Sequence, residues 1–143
     1  MAVLSLEQIT TSPRATTKEE AIKEAADMLV AAGAVTPDYA DAMREREASV
    51  STYMGNLLAI PHGTNESKES ILDSGLSVAR YETPLDWDGN PVKFVIGIAG
   101  KDGGHLEMLS KIAVVFADED EVAKLEAAPD AAAILQLLGD VNE

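Results

Sequence analysis

The sequence predicts an α/β (α+β) domain, a central mixed sheet flanked by helices on both faces. Three observations carry that prediction. Segments with apolar residues at helical spacing are interspersed with short apolar runs, not segregated from them. The run Val92–Ala99 is apolar at nearly every position, as a central strand covered on both faces must be. The 143 residues are 46% hydrophobic, with no internal repeat, low-complexity block or Pro/Gly/Ser linker, which fits one packed domain over 1–143.

The elements follow in chain order. Thr17-Lys18-Glu19-Glu20 has a hydroxyl three residues before a glutamate, the capping-box pattern. Ala21, Ile22, Ala25, Met28, Leu29 and Ala32 then keep helical spacing, and Gly33 offers a stop, so a helix is expected over about 17–32. Thr36-Pro37 reads as N-cap and first position of a second helix, running to about Glu47. Leu57–Ile60 is a short apolar run closed by Pro61, better suited to a buried strand than a helix. Leu76–Tyr81 alternates like a half-exposed strand, and Val92–Ala99 is the strongest strand signal. After Gly103-Gly104, Leu106, Leu109, Ile112, Ala113 and Phe116 mark one face of a helix from about His105 to Ala117. Asp118–Asp120 caps a short helix carrying Val122 and Leu125. Pro129-Asp130 opens a last helix, stopped by Gly139.

Acidic residues number 25 and basic residues 11, a net charge of −14. That balance argues against nucleic acid and anionic lipid as partners, since both require a basic face. It allows a partner with a basic patch, since complementary charge speeds encounter. There is no cysteine, which removes disulfides, thiolate metal sites and a cysteine nucleophile. The first residues lack the basic and apolar regions of a signal peptide, and no run is long enough to span a membrane. A cytoplasmic location is expected.

Two histidines occur. His62 lies in Ile60-Pro61-His62-Gly63-Thr64, directly after a predicted strand. The proline restrains the backbone before it, and the glycine permits a close backbone approach after it. Such a turn presents an imidazole for chemistry, although a surface histidine in a tight turn has the same local sequence. His105 follows two glycines and heads a predicted helix, where free N–H groups and the helix dipole favour an anion. It can equally be a histidine that only begins a helix. Arg46, some 16 residues before His62, offers a planar fork for phosphate oxygens, or else surface charge alternating with glutamate in Arg44-Glu45-Arg46-Glu47. Lys68 and Lys111 read as surface residues, and Asp118–Glu121 as a solvated helix start. A two-histidine metal site with a carboxylate as third ligand stays open, but no HExxH spacing supports it. GxSxG, Walker and GxGxxG motifs are absent.

Arg46-Glu47, then Tyr53-Met54-Gly55-Asn56-Leu57-Leu58-Ala59-Ile60-Pro61-His62-Gly63-Thr64, resembles the signature of the mannitol/fructose class of enzyme IIA, the phosphocarrier domains of the bacterial sugar phosphotransferase system. Val95–Ala99 followed by Gly104-His105-Leu106-Glu107-Met108-Leu109 resembles that family's second histidine region, and Thr17–Ile22 the opening of its first helix. The likeness covers nearly the whole chain. It implies a mostly parallel sheet of about five strands between helix layers. It implies His62 as phosphoryl acceptor through Nε2, His105 as the second active-site histidine and Arg46 as the active-site arginine. HPr would be the donor and a IIB component the acceptor, which phosphorylates sugar during uptake through a membrane IIC. No metal or cofactor is implied. Where mannitol-specific members carry glutamate after the glycine, this chain has Asn56, which removes a carboxylate near His62 and weakens an inference of mannitol specificity. The nitrogen-related regulatory branch of the superfamily is the alternative.

Overall fold

A computed structural model describes residues 3–101 and 104–142; the side chains at 65, 66, 105 and 140 lie outside the description. The elements run β1 (Ile9–Thr10), α1 (Lys18–Ala31), α2 (Tyr39–Ser49), β2 (Tyr53–Gly55), β3 (Leu58–Ala59), β4 (Gly75–Trp87), β5 (Asn90–Ala99), α3 (His105–Phe116), α4 (Glu119–Ala127) and α5 (Ala131–Leu137). The five strands form one mixed sheet in the order β1-β4-β5-β3-β2. The β1–β4 and β3–β5 pairs are parallel, and β4–β5 and β2–β3 are antiparallel.

Strand alternation divides the core into two layers. On β5, Phe94, Ile96 and Ile98 pack with Met108, Ile112 and Phe116 of α3, Val122 and Leu125 of α4, and Ile134 of α5. Val95 and Ala99 point the other way, into a layer with Ala21, Ile22, Ala25 and Leu29 of α1 and Tyr39 and Met43 of α2. All five of these β5 residues are at most 1% exposed, so the strand is covered on both faces as its composition predicts. Phe94 and Phe116 meet edge to face at 5.4 Å, tying the sheet to α3.

Several boundaries depart from the sequence reading. The second helix starts at Tyr39 with Asp38 as its N-cap, because the Thr36 hydroxyl bonds the Asp38 side chain instead of capping a helix. In α1, the Thr17 hydroxyl accepts from Glu20 N at 3.2 Å as expected, but Glu20 reaches back to the N–H and hydroxyl of Thr16. The β4 strand runs on to Trp87, past a register shift after Arg80 that accommodates Pro84. Asp88 and Gly89, both at positive φ, then turn it into β5 as a two-residue hairpin. The short strands β1 and β2 are not apparent from periodicity.

Candidate active site

The turn that bears His62 is built on β3. The pairing of β3 with β5 continues past Ala59: Ile98 N donates to Pro61 O at 3.0 Å, and His62 faces Ile98 in a parallel bridge. Pro61 has no N–H to give and here only accepts. On the other side of the strand, Ile60 N donates to Thr52 O at 3.1 Å. The imidazole is half-buried, and its Nδ1 lies 2.8 Å from the Ile60 carbonyl oxygen. A carbonyl can only accept, so Nδ1 carries the proton of this bond. In the neutral ring that leaves the lone pair on Nε2.

Gly63 is required by crowding. A Cβ there would lie 2.5 Å from Tyr39 Cε1 and 2.5 Å from Ser67 Oγ. The close approach inferred from sequence is thus to a side chain of α2 and to the segment after the turn. Gly63 N donates to the Tyr39 hydroxyl at 2.8 Å, and that hydroxyl donates to Ile98 O at 2.8 Å. Burial pushes the Tyr39 phenol above its ordinary pKa, so it stays protonated. Ser67 Oγ donates to Thr64 O at 2.5 Å and closes the next turn.

Topology brings the second histidine position to the same end of the sheet. Because β3 and β5 are parallel, the residues after both strands emerge on one side, His62 from β3 and the approach to α3 from β5. His105 is the first residue of α3, behind Gly104 as N-cap, as the sequence predicts. Its side chain lies outside the described residues.

Arg46 sits in the last turn of α2, where its Nη1 donates to Val50 O at 2.7 Å. Among the described residues it makes no ion pair, so its charge is not spent on a carboxylate. Arg44, by contrast, pairs with Asp41 at 2.7 Å. The segment leaving α2 contains Thr52, whose carbonyl holds Ile60, so Arg46 and His62 are joined through neighbouring backbone.

Two residues escaped the sequence reading as site builders. One is Tyr39, whose contact lies 24 residues away. The other is Glu47, 6% exposed, which accepts from Thr52 N and its hydroxyl, from Trp87 Nε1 at 3.1 Å, and faces Lys18 Nζ at 3.3 Å. Burial alone would raise its pKa; the Thr52 hydroxyl and N–H and the Lys18 ammonium outweigh that and hold it below its ordinary value. Asn56, at a positive φ in the β2–β3 turn, donates to Phe116 O at 2.7 Å, bonding the last residue of α3. Among the described residues no group of three or more His, Asp and Glu side chains is gathered to hold a metal ion.

The arrangement presents one half-buried imidazole with its ring proton held on Nδ1, at the end of the sheet from which the approach to α3 also emerges, which suits nucleophilic attack on a phosphoryl group. Comparison with known proteins agrees with that chemistry. The family described as phosphoenolpyruvate-dependent sugar phosphotransferase system, EIIA 2, matches residues 2–141. A mannitol-specific phosphotransferase enzyme IIA component of Halalkalibacterium halodurans is 52% identical over 99% of this chain and 97% of its own. Among solved structures, the complex of enzyme IIA for mannitol and its phosphorylated enzyme IIB from Escherichia coli superposes with a TM-score of 0.89 at 32% identity, covering 96% of this chain and 97% of that one. The nitrogen regulatory protein IIA-Ntr of Neisseria meningitidis superposes with a TM-score of 0.84 at 25% identity, covering 95% and 96%.

Proposed function

The chain belongs to the EIIA 2 family of the phosphoenolpyruvate-dependent sugar phosphotransferase system, and from that premise we propose that His62 is its phosphoryl acceptor, charged by phospho-HPr and discharged to a IIB component of the mannitol class. The observation that carries the reading is the 2.8 Å bond from Nδ1 to the Ile60 carbonyl, which leaves Nε2 with the lone pair. In the forward step that lone pair attacks phosphorus in line with the donor's P–N bond. As the new P–N bond forms, the old one breaks, and its electron pair returns to the donor's ring nitrogen. The developing imidazolium keeps its Nδ1–H on Ile60. Transfer to IIB is the same displacement with His62 as leaving group.

Such a step needs alignment and charge stabilisation more than covalent assistance. The N-terminus of α3 supplies N–H groups, with His105 as donor to a phosphoryl oxygen. Arg46 supplies positive charge to the transferring group. The mannitol assignment rests on the 52% identical relative; at 25% the nitrogen-regulatory protein is the more distant match.

Incubation with phospho-HPr followed by mapping of the modified residue is the deciding experiment. Acid-labile phosphate on His62, lost in His62→Ala and passed on to a mannitol-class IIB, is expected. Phosphate uptake by His62→Ala, or none by the wild-type chain, would refute the assignment.

A further inference from the structure

We infer that Tyr39 is the positioning residue of the acceptor histidine, its hydroxyl wedged between the His62 turn and β5 to set where the imidazole stands. The inference rests on His62 being the acceptor. In a parallel pair, the residue facing Ile98 is held on both sides. The carbonyl before it takes the Ile98 N–H, and the N–H after it goes to the Ile98 carbonyl. The first of these bonds is direct, from Ile98 N to Pro61 O at 3.0 Å. The second is relayed: Gly63 N donates to the Tyr39 hydroxyl, which donates to Ile98 O, each at 2.8 Å. One phenolic oxygen therefore opens the ladder at the residue that carries the imidazole.

The ring and the glycine are a matched pair. Tyr39 is 2% exposed, and its Cε1 occupies the place a Gly63 Cβ would need. The Nδ1 bond of His62 closes on Ile60 in the same strand end, so a shift of the turn carries both ring and tautomer with it. The raised phenol pKa keeps the relay's proton in place. Misplacement of a reacting group by about 1 Å can cost about 10²-fold in rate, so a wedge of one oxygen is of the right size to matter.

The test is rapid-quench phosphorylation of the full chain by phospho-HPr in wild type, Tyr39→Phe and Gly63→Ala, with ¹⁵N NMR of the His62 ring. Tyr39→Phe keeps the ring and removes the relay. It is expected to lower kcat by about 10²-fold, leave KM for phospho-HPr within about twofold, and move His62 off a single Nδ1–H tautomer. Gly63→Ala keeps the hydroxyl, drives a methyl into the ring, and should give the same split. A merely structural Tyr39 would lower the melting temperature while leaving kcat and the tautomer unmoved, and that result overturns the inference. A loss carried by KM alone would place Tyr39 in docking and overturn it as well. If Tyr39→Phe does not fold, Gly63→Ala decides by the same readings. Wild-type phosphorylation on a residue other than His62 would sink the acceptor assignment; phosphorylation on His62 with both variants unaffected would sink only the positioning role.

Discussion

At the residue scale, the site depends on a few bonds that each settle one variable. The Ile60 carbonyl settles the tautomer of His62, and the missing Cβ of Gly63 makes room for Tyr39. Arg46 is the clearest case for substitution. Its bond to Val50 O is local, and its charge is free of carboxylates among the described residues. Arg46→Ala is expected to slow phosphoryl uptake from phospho-HPr by about 10²-fold, the scale for removing one group that stabilises transition-state charge. An unchanged rate would leave Arg46 as a helix-end cation only. His105→Ala should slow transfer while His62 still becomes phosphorylated, measurable by rate and by site mapping. Asn56, read from sequence as a lost carboxylate, instead binds the α3 end through Phe116 O, a role invisible without the fold because its partner lies 60 residues away.

At the element scale, α2 joins the site to the core. Tyr39, Met43 and Glu47 recur at four-residue spacing along one buried face, while Arg46 lies one residue off it in the last turn. Tyr39 pins the first turn of the helix to the His62 turn, and Glu47 pins its last turn to Thr52, Trp87 and Lys18. The carboxyl of Glu47 has a lowered pKa in the folded chain. Its contribution to stability is therefore complete above the ordinary glutamate value and is lost as pH falls through the folded value. Glu47→Gln should lower the urea midpoint at pH 7 and lose less on going to pH 3.5 than wild type does. Parallel acid limbs for the two proteins would contradict this. The sequence showed α2 but not its anchoring, because its end points are long-range contacts. The strands β1 and β2 escaped for a related reason: two or three residues are too few for a periodicity, and their pairing with β4 and β3 is what makes them strands.

At the scale of the whole molecule, the charge of −14 must be reconciled with a site that receives phosphate. Lysines 18, 23, 93, 111 and 124 and Arg44 pair with carboxylates, so six of the 11 cations are neutralised in place. The residues after β3 and β5 emerge at one end of the sheet, where the α3 N-terminus adds its helix dipole. An acidic surface around such a site steers a basic docking face. The rate of phosphoryl uptake at low donor concentration should therefore fall between 0.05 and about 0.5 M salt, as the Debye length shrinks. A salt-independent rate would argue against steering. No described helix is long and apolar enough to cross a membrane.

The sequence by itself determined the class of fold, the two-sided burial of β5, the principal helices and a histidine on a turn, which only the family resemblance singled out as the candidate nucleophile. Each of these is written in local pattern: periodicity, caps, and a Pro-His-Gly turn after an apolar run. Tertiary structure decided which nitrogen of His62 carries the proton, why Gly63 cannot be another residue, that α2 is clamped at both ends, and that the two histidine positions share one end of the sheet. Those facts depend on parallel pairing and on side chains tens of residues apart, and local pattern cannot encode a contact whose partner is chosen only when the chain closes.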